Sequence, residues 1–281
     1  MEKEKILELA SKASDCSDGY FYDNNLLLCS RTNENLTELF NQFDVENKDV
    51  FTVLGSSDQL FSCYYHKAKS IDSFDKVYLT LYYYFLRKWV ILYQNSTYPS
   101  YRFFEDGDAI LYKLVCNIEP SSKDEAEAQI FWKNYLKKTN YKAGNYLFYL
   151  SMCSWPVPFE NNLNSIKGIF EKPLSFQNIN LFEDLDFDKQ YDVLILSNIL
   201  EYAYDKESLI NARNNIEKLL RDDGIVICSY KKNRRNSYRH KKEKEVLTSN
   251  FLKFDDGFHK YYEPLLGKKI DLAYSYKKVK K

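Results

Sequence analysis

Three features of the chain predict an α/β fold built on a Rossmann-like, mostly parallel sheet, with helices on both faces and a helical insertion. First, Val50-Phe51-Thr52-Val53-Leu54, Tyr191-Asp192-Val193-Leu194-Ile195-Leu196 and Ile225-Val226-Ile227-Cys228-Ser229-Tyr230 are short, nearly continuous apolar runs. That pattern belongs to strands covered on both faces. Second, segments of helical periodicity separate these runs, as a βαβ alternation requires. Third, the first run stops at Gly55-Ser56-Ser57-Asp58-Gln59, a small-residue turn at the strand end where such sheets take their ligands.

Each element has its own signal. Ile6, Leu7, Leu9 and Ala10 mark a helical face near the start, and residues 35–43 mark a second, with Thr32 or Asn33 as its cap. Beyond the Gly55 turn, residues 60–66 are helical, and Lys69-Ser70-Ile71-Asp72-Ser73-Phe74-Asp75 reads as a strand ending in an acid. Residues 78–93, with Leu81, Phe85, Leu86, Trp89 and Leu92, suit a mostly buried helix. From 98 to 164 the chain reads as mainly helical, a cap inserted over the sheet, with a helix start at Ser121 or Ser122 ahead of Asp124 and Glu125. Trp155-Pro156-Val157-Pro158 breaks it. Strand signals resume at 175–180, a helix follows over 206–220, and 269–276 is a candidate last strand. The domain reading is an N-terminal helical region over 1–48, a core domain over 49–276 with its insertion at about 98–165, and a basic tail over 277–281.

Composition narrows the function classes. The 281 residues carry 40 Lys+Arg against 40 Asp+Glu, so a protein built wholly around nucleic acid or an acidic membrane is disfavoured. With 44% hydrophobic and 17% aromatic residues there is ample core material. No two of the six cysteines form a C-x-x-C pair, and none of His66, His240 and His259 has metal-ligand spacing. The cysteines read as small buried apolar residues, and no metal site is expected. The charged opening Met1-Glu2-Lys3-Glu4-Lys5 is no signal peptide, and no apolar run reaches membrane-spanning length. The expectation is a soluble protein of the cytoplasm.

Chemistry concentrates at three places. The Gly55-Ser56-Ser57-Asp58-Gln59 turn lacks the full dinucleotide glycine pattern, but Asp75 ends the next strand about twenty residues on, where a carboxylate can accept from ribose hydroxyls. The plainer alternative is a capped βα turn with Asp75 capping the next helix. A Gly-Ser-Ser turn suits a carboxylate ligand better than a pyrophosphate. Second, Ser197-Asn198-Ile199-Leu200-Glu201-Tyr202 closes a buried strand with polar groups. Glu201 or Tyr202 is a candidate to position or deprotonate an acceptor, and the alternative is an ordinary solvated strand end. Third, residues 231–245 hold eight Lys/Arg against two acids. They read as a solvated loop, with contact to phosphates or a nucleic acid as the alternative.

The segments Thr32-Asn33-Glu34-Asn35-Leu36, Val53 through Asp75, and Tyr191 through Tyr202 together resemble class I S-adenosylmethionine-dependent methyltransferases. More narrowly, they look like uncharacterised bacterial proteins related to the domain of diacylglycerol 3-amino-3-carboxypropyl transferases. The resemblance implies S-adenosylmethionine as cofactor. Gly55, Ser56, Ser57 and Gln59 would line its methionine end and Asp75 would hold the ribose. Asn178, Asn180 and Leu181 would border the adenine, while Ser197 and Asn198 would face the sulfonium and the substrate. Two departures touch this pocket. Relatives carry a second glycine near Ser57-Asp58, and an Asn-Pro-like pair where this chain has Lys76-Val77.

The function expected from these residues is methyl transfer to a small acceptor. Aminocarboxypropyl transfer, or a non-catalytic binding protein that retains the fold, are the alternatives. The Asn-Pro-Pro-Tyr motif of DNA amino-group methylases is absent where Ser197-Asn198-Ile199-Leu200 stands.

Overall fold

The computed structural model describes residues 1–15, 36–93, 108–139, 168, 170–230, 245–249, 252–263 and 268–279. The expected cap at Thr32 or Asn33, the Trp155-Pro156 break, the edges of the helical insertion and most of the basic segment (231–244) lie outside these residues. Two compact units divide the chain, one formed by 1–32, 54–58 and 77–173, the other by 33–53, 59–76 and 174–281.

The second unit carries the sheet. Its strands are β1 (Asp49–Val53), β2 (Ser70–Asp75), β3 (Ser175–Asn178), β4 (Tyr191–Ser197), β5 (Leu220–Tyr230), β6 (Leu252–Glu263) and β7 (Lys268–Lys278). They lie in the order β3-β2-β1-β4-β5-β7-β6. The pairs β1–β2, β1–β4, β2–β3 and β4–β5 are parallel, whereas β7 runs antiparallel to both β5 and β6. This is a mostly parallel, Rossmann-like sheet with flanking helices. Strand β6 has no counterpart among the sequence expectations.

β1 is buried at every position, as its continuous apolar run requires. Phe51 stacks on Phe74 at 4.6 Å between centroids and packs against Tyr191 at 4.9 Å, tying β1 to both neighbours. The core continues through Leu194, Leu196, Ile216, Val226 and Tyr276. α2 (Leu36–Gln42) precedes β1, α3 (Asp58–Tyr65) lies between β1 and β2 in the chain, and α7 (Lys206–Leu219) between β4 and β5. α7 starts where Asp205 accepts from the Ser208 N–H at 2.8 Å.

An ionic cluster binds the amino ends of four strands. Asp49 accepts from Arg221 at 2.8 Å, Ser70 Oγ at 2.7 Å and Lys69 at 3.4 Å. Arg221 also pairs with Asp192 at 2.9 Å, and Asp192 accepts the Asp49 N–H at 2.8 Å. Burial alone would raise the Asp49 carboxyl; its bonds to Ser70, Arg221 and Lys69 outweigh this and hold it at about 2. Gly224 permits this corner, because a Cβ there would meet the Arg221 carbonyl at 2.9 Å and the Asp192 carbonyl at 3.2 Å. These groups sit at the edge opposite to the one where such sheets bind ligands, so they read as stability.

The first unit is helical: α1 (Lys3–Asp15), α4 (Leu79–Tyr93), α5 (Asp108–Asn117) and α6 (Lys123–Lys138). Ser122 caps α6 by accepting from the Glu125 N–H, and the Glu125 carboxylate reaches back to the Ser121 N–H at 2.9 Å. The same buried carboxylate takes Trp89 Nε1 at 2.7 Å and Lys88 Nζ at 3.2 Å, joining α6 to α4. Trp132 Nε1 donates to the Tyr82 carbonyl at 2.8 Å. The aromatic-rich 78–93 segment is therefore a helix buried from Leu79 to Ile91 apart from Lys88, as expected, whereas Leu92, expected to be buried, is exposed with Tyr93 at its end.

Candidate functional site

In a parallel sheet the connections leave on opposite sides where the strand order reverses, which opens a crevice beyond the carboxyl ends. Here that point lies between β1 and β4. β2, ending at Asp75, and β4, ending at Ser197, flank β1 on its two sides. At the usual strand spacing they stand ~10 Å apart, room for a nucleoside.

Asp75 is half-buried and pairs in register with Asn178 on β3. Asn178 Nδ2 donates to the main-chain oxygens of Asp75 at 2.8 Å and Lys76 at 3.1 Å, and the Ile179 N–H donates to the same Asp75 oxygen at 3.2 Å. Asn178 therefore spends its amide on the backbone. Asn180 folds the next turn, its Oδ1 accepting the Phe182 N–H at 3.3 Å and its carbonyl the Glu183 N–H at 3.1 Å. The Leu181 side chain is 2% exposed and belongs to the sheet core, so toward a ligand this residue offers only main chain. Among the described residues the N–H groups of Asn180 and Leu181 have no acceptor.

Ser197 leaves β4 with φ 52°, left-handed for a non-glycine residue. Asn198 then precedes a short 3-10 turn, Ile199–Tyr202, without capping it through its side chain. Glu201 is buried inside that turn rather than solvated, and its N–H donates to the Asn198 carbonyl at 3.0 Å. Tyr202 and Tyr204 are exposed. Strain at a polar strand end is a frequent mark of a functional segment.

The Gly55–Asp58 turn belongs to the helical unit. Gly55 has φ 44° and Ser57 φ 70°, so the chain asks for a left-handed residue on each side of Ser56 and supplies one glycine. Ser56 Oγ donates to Asp58 Oδ2 at 2.7 Å, and Arg87 of α4 pairs with Asp58 Oδ1 at 2.8 Å. Arg87 also donates to the Ser56 carbonyl. Both partners of this ion pair are buried. Nothing in the apolar helix pattern marks Arg87, and sequence reasoning missed it. Ser57 Oγ is fully buried and has no hydrogen-bond partner among the described residues. Gln59 is buried in the first turn of α3.

Among the described residues no group of three or more His, Cys, Asp or Glu is placed to hold a metal ion. No helix among them is long and apolar enough to cross a membrane.

No family profile matches the chain. No curated protein matches it either. Similar solved structures include the N-methyltransferase NodS of Bradyrhizobium japonicum WM9 in complex with S-adenosyl-L-homocysteine. It is 9% identical over 98% of this chain and 99% of that one, with a TM-score of 0.43. An S-adenosylmethionine-dependent methyltransferase of Clostridium acetobutylicum ATCC 824 is 8% identical over 88% and 90%, with a TM-score of 0.44. A ribosomal protein L11 methylase of Lactobacillus delbrueckii subsp. bulgaricus is 13% identical over 88% and 77%, with a TM-score of 0.40. The fold assignment rests on the strand order itself.

Proposed function

We propose that the chain is an S-adenosylmethionine-dependent transferase that moves a methyl group to a small acceptor. The observation that carries this reading is the edge formed by Asp75, Asn178 and Ser197 at the switch point of the sheet. The donor set fits the nucleoside. Asp75 offers an acceptor to ribose hydroxyls, and the unpaired N–H groups of Asn180 and Leu181 suit an acceptor nitrogen of a base. Asn178 acts by fixing Asp75, and Ser197 and Asn198 border the reacting end. In the Gly55-Ser56-Ser57-Asp58-Gln59 turn, taken by itself, main-chain amides are the groups that suit a carboxylate, because the Ser56 side chain is already engaged.

When bound, the cofactor supplies an electrophilic methyl carbon on a sulfonium. The chain's part is to hold the acceptor in line with it, so positioning can dominate and a strong base is optional. Glu201 and Tyr202 are assigned to the acceptor, Glu201 from a buried position and Tyr202 from an exposed one. Titration calorimetry with S-adenosylmethionine and S-adenosylhomocysteine, followed by a methyl-release assay over acceptor pools, tests the proposal.

A non-catalytic binding protein that keeps the fold is the second reading. It is favoured by the turn around Ser56, whose Asp58 carboxylate is occupied by Ser56 and Arg87. Ligand binding without methyl release selects it.

A further inference from the structure

Helix α7 ends without a glycine cap. Leu219 is followed at once by Leu220, whose extended backbone (φ −82°, ψ 136°) starts β5. The Ile216 carbonyl is taken locally, by the Leu220 N–H. Distant side chains take the next two carbonyls, which a helix end leaves without partners of its own. Gln190, just before β4, donates from Nε2 to the Lys218 carbonyl at 3.2 Å. Lys278, the last residue of β7, donates from Nζ to the Glu217 carbonyl at 2.8 Å and also to the Leu220 carbonyl. Lys278 is 6% exposed. Burying an ammonium is costly unless its protons are bonded, and a cation is the charge that suits a helix C-terminus.

The same corner is closed from a second side. The Glu217 carboxylate accepts from Ser249 Oγ at 2.5 Å. Ser249 and Leu252 bond reciprocally, the Ser249 N–H to the Leu252 carbonyl at 2.9 Å and the Leu252 N–H to Ser249 Oγ at 3.0 Å. Leu252 opens β6 and pairs in register with Lys278. A single residue of α7, Glu217, is therefore held at its carbonyl by the end of β7 and at its carboxylate by the turn that starts β6.

We propose that Lys278 is a latch that makes the last turn of α7 and the paired ends of β6 and β7 open and close as one unit. A helix end capped by its own neighbours frays by itself, because its opening breaks only local bonds. Here the Glu217 carbonyl cannot leave its place without unseating the buried Lys278 ammonium. Lys278 in turn cannot move without disturbing its register partner Leu252 and the Ser249 turn. The two openings therefore share one free-energy cost, which defines a cooperative unit within the sheet.

The test is amide hydrogen exchange read by mass spectrometry on the full chain, with melting temperatures, for the wild type, Lys278→Met and Gln190→Ala. Methionine keeps most of the apolar stem and donates nothing. Lys278→Met is expected to lower the melting temperature by about 3–9 °C. It should speed exchange at 216–220 and, together with it, at 252–254 and 276–278, by about tenfold beyond any rise in β1 and β2. Gln190→Ala removes a bond to the helix alone, so it should speed exchange at 216–220 and leave the ends of β6 and β7 as they were. If Lys278→Met does not fold, Ser249→Ala carries the test. It loosens the corner from the β6 side and should speed exchange in the last turn of α7 as well. A Lys278→Met effect confined to α7 makes the residue an ordinary helix cap and overturns the proposal. So does a uniform rise across the sheet, which is a global loss of stability, or unchanged exchange at the corner. A Ser249→Ala effect confined to the start of β6 overturns it equally.

Discussion

The side-chain amide of Asn178 donates to the main-chain oxygen of Asp75 across 2.8 Å. The acid that ends β2 and the loop that follows β3 are thereby held as one piece, since Ile179 bonds to the same oxygen. If Asp75 holds the ribose, Asp75→Ala should weaken S-adenosylhomocysteine binding ten- to a hundredfold, from the loss of ~1.5–3 kcal/mol of charged hydrogen bonding. Melting temperature should change little, because the side chain is half-exposed at a strand end. A helix-cap role predicts the reverse, a stability loss of ~0.5–2 kcal/mol with affinity unchanged. Asn178→Ala should weaken binding less than Asp75→Ala, since it loosens the frame without removing the acceptor.

Arg87 and Asp58 form a buried pair inside the helical unit. Arg87→Met should cost about 3–5 kcal/mol in thermal or urea unfolding, because it leaves the Asp58 charge unpaired. Combining it with Asp58→Asn should recover part of that loss. Equal stability of the single and double variants would contradict the pairing.

Ser57 and Ser197 hold left-handed backbone without glycine. Such a conformation costs about 1–2 kcal/mol, partly offset by the entropy glycine loses on folding. Ser57→Gly should therefore stabilise by about 0.5–1 kcal/mol, helped by removal of the buried, unpartnered hydroxyl, and Ser57→Val should destabilise. Differential scanning calorimetry reads both.

The Asp49 carboxyl is held at about 2 in the fold against ~3.9 in an unfolded chain. A depressed carboxylate contributes stability that is fully present above the unfolded value and lost as pH falls through the folded one. Stability should therefore drop by about 2 kcal/mol between pH ~4 and ~2. Asp49→Asn should be less stable at neutral pH and show a shallower acid limb. Gly224→Ala, which presses a Cβ against the Arg221 carbonyl at 2.9 Å, should destabilise by ~1–3 kcal/mol.

The parallel half of the sheet was legible because strands buried on both faces are written as continuous apolar runs, seen in Val50-Phe51-Thr52-Val53-Leu54 and the run from Tyr191 to Leu196. β6 was not, because Lys253, Asp255, Asp256 and Lys260 break up its apolar residues and it lies at the sheet edge with a single neighbour. Ser197 could be found because it is the first polar residue after the apolar run Val193 to Leu196, and Asp75 because it ends the second strand about twenty residues after the Gly55 turn. The partners of the site were hidden for a different reason. Arg87 and Lys88 stand side by side in a helix of mostly apolar and aromatic residues and look like ordinary solvated charges. Only the folded chain shows what their side chains reach. The amino-edge cluster joins residues 49, 69, 70, 192 and 221, which no local pattern connects.

Calorimetric titration of S-adenosylhomocysteine into the wild type and Asp75→Ala, with both shown to be folded by their melting curves, decides whether Asp75 holds a nucleoside. The wild type should show saturable one-site binding, weakened ten- to a hundredfold in the variant, at ~1.4 kcal/mol per decade. A folded wild type that gives no saturable heat, or an Asp75→Ala variant that binds as tightly as the wild type, would contradict that role.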